Sequence, residues 1–248
     1  MTTVVIMQPT FLPWLGYFAM IEAAEHFVFL DDVQFSKQSW QSRNRILAPS
    51  GEAQLVSLSI ARKPSKPLIH EARLAETGFE TALLQTVRQS YAKTPHGGLA
   101  ADLLEDSFAA AKGNLGTLNA CFIKSFADLI GIKAQFHHSS QMGVTGGGRS
   151  DRLLNLTQAL GGETYLSPVG SLGYLAGDNP FEASPVDLRF LNFTHPEYPQ
   201  GRHPFVSHLA AIDALAHLGP DAVRPMLIDG LGEALTLTAL EGHTDERI

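Results

Sequence analysis

Two short apolar segments near the start of the chain constrain the fold most, because each one runs directly into an unusual loop. Residues 2–7 and 27–30 are rich in β-branched and aromatic side chains, a composition typical of buried strands. Residues 15–24, between them, predict a helix that returns the chain to a second strand. Such a unit places its two strand-end loops side by side. The sequence therefore predicts an α/β fold with a mostly parallel sheet and a site formed by strand-end loops.

The loop after the second segment carries the densest set of polar side chains in the chain. Residues 31–45 combine acids, bases, amides and a tryptophan immediately after a predicted strand. We assign catalytic roles to Asp31, Asp32 and Lys37, because a carboxylate can accept a proton and an ammonium can stabilise developing negative charge. The same loop supplies the candidate substrate-binding residues Gln34, Trp40, Arg43, Asn44 and Arg45.

A purely structural role for this loop is the alternative interpretation. Asp31 can cap a turn, Trp40 can pack, and the arginines can be solvated. The functional interpretation makes a sharper geometric prediction, since side chains at i and i+2 of an extended segment project to the same face. Arg43 and Arg45 are therefore expected to clamp one anionic group while Asn44 points the other way.

The loop after the first strand contains no charged residue from position 8 to position 18. Pro9 and the proline at position 13 restrict the backbone, so residues 8–12 are expected to form an ordered extended turn. Gly16 allows close approach of another backbone or a ligand. The candidate binding residues of this loop are Gln8, Pro9 and Trp14.

A small hairpin is predicted next, from residues 45–48 and 54–60 around the turn at 49–51. The basic, proline-bearing segment 62–67 then interrupts regular structure. It is either a lid over an anionic ligand or a solvated connector.

Apolar residues recur at helical spacing over three consecutive segments, and these predict three helices at 79–91, 99–108 and 115–129. Asn114 is the expected N-cap of the third helix. We interpret 78–131 as a helical insertion or subdomain within a single α/β domain that spans 1–248.

The remaining segments predict strands at 133–137 and 163–166, with a helix at 151–160 between them. The glycine-rich stretch before that helix either binds phosphate through backbone N–H groups or is a plain loop before a Ser150 cap. Its spacing fits neither the P-loop nor the dinucleotide fingerprint. Ser167 begins a third strand-end loop and is a candidate binding residue, with an ordinary turn as the alternative.

The charge distribution restricts the ligand. The formal net charge is −7, which argues against a nucleic-acid or anionic-lipid surface. Between positions 37 and 66, however, the chain has many bases and a single acid, Glu52. These bases are Lys37, Arg43, Arg45, Arg62, Lys63 and Lys66. This local positive patch predicts a small anionic substrate that carries phosphate or carboxylate.

Cysteine and histidine usage bounds the chemistry further. Cys121 is the only cysteine, so no intramolecular disulfide can form, and its place on a helix stripe predicts a core residue rather than a nucleophile. The 10 histidines show no zinc-binding spacing, so we predict no metal site. His195 and His203 flank a proline-rich loop, where one of them can act as a general acid or base or simply lie at the surface.

No signal or membrane segment is recognised in the sequence, which predicts a cytoplasmic protein without membrane insertion.

Several of these segments together resemble the WbqC-like family. The resemblance is carried by residues 7–9, 12–18, 27–35 and 43–45 together with Lys37 and Trp40, and it continues through 129–133 and 165–170. That family is associated with O-antigen and other surface polysaccharide gene clusters. The resemblance implies a transferase that attaches an aminoacyl or acyl group, with glycine proposed, to a nucleotide-linked sugar.

Two further hypotheses are kept. The order of strand, apolar loop, helix and strand is similar to nucleotidyltransferase-like folds such as pantothenate synthetase, which implies ATP-dependent carboxylate activation. The histidine pair of that superfamily is absent, with Trp14 and Tyr17 near those places. The other hypothesis is a non-catalytic ligand-binding protein of the same pathway. The expected small-molecule partner is a nucleotide sugar or a thioester donor. A carrier protein and a homo-oligomer are both left open as protein partners. The sequence assigns no cofactor.

Overall fold

The computed structural model describes residues 1–62, 64–201 and 204–244, so the expectations for Lys63 and His203 lie outside the described residues. The strands of this part of the chain are β1 Thr3–Met7, β2 His26–Phe29, β3 Arg43–Leu47, β4 Ala53–Ser57, β5 Gln135–His138, β6 Thr164–Ser167 and β7 Asp187–Phe190. Five of them form one parallel sheet in the order β5-β2-β1-β6-β7. The other two, β3 and β4, form an antiparallel hairpin.

Helices cover the sheet and extend beyond it. The α-helices of the described residues are α1 Leu15–Glu22, α2 Phe79–Ser90, α3 Gly97–Ala111, α4 Leu115–Leu129, α5 Arg149–Ala159, α6 Leu172–Gly177, α7 Ile212–Leu218, α8 Pro220–Gly230 and α9 Leu237–Thr244. Within the described ranges, no helix has the length and apolar character needed to cross a bilayer.

Both faces of the parallel sheet are buried. Val5 on β1 and Phe27 on β2 belong to a large apolar cluster that includes α1, α4 and the hairpin. Val4 and Val28, one position away on each strand, belong to a second cluster with α5 and α6. Because successive strand residues point to opposite faces, a strand covered on both sides reads as an uninterrupted apolar run. This explains why β1 and β2 are visible in the sequence.

The strand order creates a reversal in the middle of the sheet. The chain builds outward from β1 through β2 to β5, then returns to the other side of β1 with β6 and continues to β7. In doubly wound folds, ligands bind outside the carboxyl ends of the strands at this reversal. Here the reversal lies between β1, which runs into Gln8, and β6, which ends at Ser167.

The predicted fold class is confirmed: a mostly parallel sheet, a small hairpin, and three helices inserted between β4 and β5. The Asn114 cap is also confirmed, since its side chain accepts a hydrogen bond of 2.8 Å from the Thr117 N–H. The Ser150 cap is wrong, because α5 begins at Arg149 and Gly148 is its N-cap. Asp151 supplies the capping interaction instead, accepting from the Gly148 N–H at 2.9 Å. Strand β7 was not predicted, because its four residues include two charged side chains.

Candidate functional site

The loop after β1 is fastened to the start of the hairpin by a buried amide. Asn44 on β3 donates hydrogen bonds from its side chain to the carbonyls of Phe11 (3.2 Å) and Leu12 (2.7 Å). Its side-chain oxygen accepts from the Arg45 N–H at 2.8 Å. Both the donor and the acceptor of this amide are thus used within the protein. The structure places Asn44 as a brace between two loops rather than in an open cavity.

A second buried amide fastens the same loops to α4. Asn119 donates to the carbonyls of Pro9 (3.0 Å) and Gln41 (2.8 Å). The Gln41 side chain in turn donates to Gln8 Oε1 at 2.7 Å. Gln8 and Pro9, predicted to bind substrate, are therefore parts of the framework that fixes the two strand-end loops relative to each other.

An open groove of about 1030 Å³ lies between residues 34–38 and the hairpin and basic segment. We call it the cationic groove, because its charged lining side chains are all basic in the described part of the chain. These side chains are Lys37, Arg43, Arg62 and Lys66. Gln34, Ser36 and Ser57 add neutral polar groups to the wall. A concave surface with several cations and no acid is suited to binding an oxyanion such as phosphate.

Arg43 is the cation of the groove with the clearest unused hydrogen-bonding capacity. Its Nε is buried and has no hydrogen-bond partner within the described residues. The guanidinium carbon lies 6.0 Å from the ring centroid of Trp40, which is 51 % exposed at the surface. A buried donor without a partner is costly unless a ligand or water satisfies it. The described protein thus leaves a donor of Arg43 unsatisfied at Nε, and the side chain of Arg43 lies in the groove wall.

Arg45 does not join Arg43 in the groove. Its guanidinium reaches the carbonyl of His208 at 3.5 Å, and it is not among the lining residues. The structure thus gives no support to a clamp of both arginines on one anion. Arg43 faces the groove, whereas Arg45 contacts the segment that precedes α7.

Two other predicted binding residues also lie apart from the groove. Trp14 packs against the rings of His195 and His208, with centroid distances of 5.9 and 5.0 Å. The backbone N–H of His208 donates to His195 Nε2 at 3.2 Å, so this histidine belongs to the same packed cluster. Ser167 is fully buried at the end of β6.

Asp31 is buried, with 4 % of its surface exposed, and its carboxylate is surrounded by donors. It accepts from His138 Nδ1 at 2.8 Å and from the Ser140 N–H at 3.0 Å, and Ser139 Oγ lies 3.3 Å away. Burial favours the neutral acid, but the hydrogen bonds from His138 and Ser140 outweigh it and lower the pKa of Asp31 to about 2. This carboxylate is therefore ionised across the physiological pH range.

The side chain of Asp32, the next residue of the same loop, is also bonded within the protein. It forms an ion pair with Arg152 on α5 and accepts from Ser139 Oγ at 2.6 Å. Neither Asp31 nor Asp32 lines the cationic groove, whereas Lys37 does. The structure does not bring the three residues predicted to be catalytic into one cavity.

A smaller cavity of about 410 Å³ lies at the carboxyl ends of β2 and β5, and we call it the second cavity. Its described lining residues are Asp31, His70, Gly116, Thr117, Ala120, Cys121, Lys124, His138, Ser140 and Gln141. Asp31, His138 and Lys124 form a continuous chain, because Lys124 Nζ lies 3.3 Å from His138 Nε2. A buried carboxylate that orients an imidazole is an arrangement suited to proton transfer.

Sequence reasoning missed most of this cavity. His138 is one of the 10 histidines and is weighed above only as a zinc ligand, although its place directly after the strand predicted at 133–137 is a usable signal. His70 and Lys124 carry no local signal and reach the cavity only through the fold. The prediction that Cys121 is a core residue is wrong, because Cys121 is partly exposed and lies in the cavity wall at the edge of the apolar stripe of α4. No group of three or more side chains suited to hold a metal occurs among the described residues.

Comparison with known proteins identifies the protein family of the chain. The model of the WbqC-like protein family matches residues 8–225, which include both strand-end loops, the hairpin and the helical layer. The uncharacterized protein Rv1507c of Mycobacterium tuberculosis is 25% identical over 225 residues, covering 90% of this chain and 96% of that protein. No solved structure gives a significant match. The match over most of its length shows that the chain belongs to the WbqC-like protein family.

Proposed function

We propose that the protein is a transferase that attaches an aminoacyl or acyl group, with glycine as one candidate, to a nucleotide-linked sugar in O-antigen or other surface polysaccharide biosynthesis. The observation that carries this proposal is the cationic groove, in which every charged lining residue of the described chain is basic. The protein as a whole has a formal net charge of −7, so this concentration of cations is local. The pyrophosphate of a nucleotide sugar is the kind of anion that such a groove favours.

The groove residues have distinct roles in this proposal. Arg43 donates paired hydrogen bonds to a phosphate group. Lys37 adds a second positive charge that balances the remaining negative charge of that phosphate. Gln34 lies in the same wall and can hydrogen-bond to the sugar. Trp40 stands beside Arg43 and offers an exposed ring on which a base or sugar can stack.

The position of Asp31 argues for an indirect role. A carboxylate with a pKa of about 2 is a weak base near neutral pH, so Asp31 is poorly suited to accept a proton from the attacking group. It is well suited to hold the imidazole of His138, to which it is bonded at 2.8 Å. We therefore assign Asp31 to positioning and His138 to proton transfer in the proposed reaction.

The direct test incubates the purified protein with a UDP- or dTDP-aminosugar and a glycyl or acyl thioester, and identifies the product by its mass. Calorimetry with the nucleotide sugar alone measures the binding step. We expect Arg43→Ala to weaken binding by about 1.5 to 3 kcal/mol, the range for a hydrogen bond to a charged group. Arg43→Lys should not restore it, because an ammonium cannot reproduce the planar fork.

Arg45→Ala is the matched control, since Arg45 lies two residues away on the same strand but outside the groove. It should leave the binding constant of the nucleotide sugar nearly unchanged. If the product mass does not increase with any donor, the proposed transferase reaction is wrong. If the Arg43→Ala protein binds the nucleotide sugar as tightly as the Arg45→Ala protein, the proposed binding of the nucleotide sugar in the cationic groove is wrong.

ATP-dependent activation of a carboxylate is the second candidate function, and the topology of the sheet is the observation that favours it. The reversal between β1 and β6 is the position at which doubly wound folds bind nucleotides. This candidate predicts release of pyrophosphate from ATP when a carboxylate substrate is added. Calorimetry that detects no binding of ATP, with or without magnesium, excludes it.

A further inference from the structure

The second cavity contains one ammonium group, that of Lys124, with no carboxylate in ion-pair contact among the described residues. Lys124 Nζ has His138 Nε2 as a hydrogen-bonding neighbour at 3.3 Å and lies 5.5 Å from the ring centroid of Phe29. It forms no ion pair within the described residues. Asp31 is the one acid of the described lining, and its oxygens already accept from His138 Nδ1 and the Ser140 N–H. The ionised Asp31 offsets the charge of Lys124 in the described lining, but Lys124 Nζ is the charged group left without an ion-pair partner.

The two imidazoles of the cavity do not supply an opposing charge. His70 Nδ1 lies 3.0 Å from the Asp31 carbonyl, which can only accept, so Nδ1 carries the proton. His138 uses its Nδ1 in the same way toward the Asp31 carboxylate. Nε2 of His70 is then left to accept a proton or a hydrogen bond, whereas Nε2 of His138 faces Lys124 Nζ at 3.3 Å. Lys124 supplies the positive charge, and His138 supplies the acceptor that holds Lys124 in place.

The size and charge of the cavity select the class of ligand. Its volume of about 410 Å³ compares with about 1030 Å³ for the cationic groove, so it suits a much smaller molecule. Only one ammonium of the described lining is open to an ion pair, and the ionised Asp31 lies in the same wall, so a phosphate monoester with close to two negative charges near neutral pH is disfavoured. A carboxylate matches this single charge and can accept hydrogen bonds from Lys124 and from the hydroxyl of Thr117 in the wall.

We propose that the second cavity binds a small molecule through its carboxylate group, with Lys124 as the cationic partner and the Asp31-oriented imidazole of His138 as the group that holds Lys124 in place. This proposal rests on the proposed function, because a transferase needs a second substrate in addition to the nucleotide sugar and the small carboxylate molecule would be that substrate. The two sites share a wall, because residues 31–35 pair with residues 67–70 through the bonds from Phe35 N to Pro67 O and from His70 N to Asp31 O. The groove lies against one part of this wall and the second cavity against the other.

Cys121 provides a test that requires no turnover, because it is the single cysteine of the chain and lines this cavity. Its alkylation rate is measured by intact mass with iodoacetate, which carries a carboxylate, and with neutral iodoacetamide, which is almost the same size. The ratio of the two rates is divided by the ratio for glutathione, which removes the intrinsic difference between the reagents. We expect a ratio about tenfold above that of glutathione, the factor of one charge-assisted hydrogen bond. Acetate should slow the labelling, and acetamide should not.

Three variants make the result specific. Lys124→Met should reduce the normalised ratio to near one, and Lys124→Arg should retain most of the preference because the charge is kept. Lys37→Met, which removes a cation from the groove instead, should leave the preference intact. Melting curves establish that each variant is folded, and acetate protection of the unmodified protein decides the question if Lys124→Met does not fold.

The proposal is overturned if folded wild-type protein shows no preference for iodoacetate, or if a folded Lys124→Met protein shows the same preference as wild type. It is also overturned if Cys121 reacts with neither reagent until urea is added, since small molecules then do not enter the cavity. A clear iodoacetate preference with no transferase product retains the carboxylate site and rejects the proposed reaction. Transferase product without the preference rejects the carboxylate site and retains the proposed reaction.

Discussion

The buried carboxylate of Asp31 predicts a specific dependence of stability on pH. Burial raises its pKa, but the bonds from His138 and Ser140 prevail and lower it from 3.8 to about 2. Since the unfolded chain then binds a proton before the folded protein does, ionised Asp31 stabilises the fold at neutral pH. A lowering of this size contributes about 2.4 kcal/mol above the unfolded pKa, and about half of that is lost at pH 3.

Urea denaturation followed by circular dichroism measures this contribution. The free energy of unfolding of wild type and Asp31→Asn is compared at pH 7, 5 and 3. Asp31→Asn should be less stable at pH 7, because its amide N–H₂ faces the donors of His138 and Ser140, and the difference from wild type should shrink as the pH falls from about 4 toward 2. Asp221→Asn, at an exposed position in the first turn of α8, is the control and should show no comparable change. A difference between wild type and Asp31→Asn that is the same at pH 7 and pH 3 contradicts the lowered pKa of Asp31.

Three further perturbations test other parts of the structure. Asn119→Ala should lower the free energy of unfolding by about 2 to 3 kcal/mol, because two buried loop carbonyls lose their donor, and a urea midpoint equal to that of wild type argues against this brace. Gly16→Ala should lower the melting temperature and shift the tryptophan fluorescence, because a Cβ at this position lies 2.1 Å from the Trp14 ring. Gly98→Ala is the control and should change neither, because its added Cβ meets nothing within 4 Å. Binding of the nucleotide sugar should weaken steadily with added salt, as calorimetry over a salt series measures, and salt-independent binding is inconsistent with a cationic groove.

The parallel sheet, the hairpin and the helical layer could be predicted from sequence because each shows a characteristic spacing of apolar residues within a short segment of the chain. Strands β1 and β2 read as apolar runs, and the helices at 79–129 repeat with the helical period. The cationic segment could also be predicted, since four of its bases do line one groove. These features depend on residues close together in the chain.

The grouping of the site residues could not be predicted, because it depends on the path of the loop after β2. The backbone of Val33 and Phe35 pairs with residues 67–69, which leaves Asp31 facing the second cavity and Lys37 facing the groove. Lys124 comes from a helix far along the chain. No local spacing encodes these contacts, so the pairing of Asp31 with His138 was not foreseen.

A crystal structure of the protein with a bound UDP-aminosugar tests the role of the cationic groove most directly. We expect the phosphate oxygens to lie within hydrogen-bonding distance of Arg43 in the groove, with Lys37 nearby and the base or sugar against Trp40. A nucleotide bound instead at the carboxyl ends of β1 and β6, beside Gln8 and Ser167 with the groove unoccupied, contradicts the proposal.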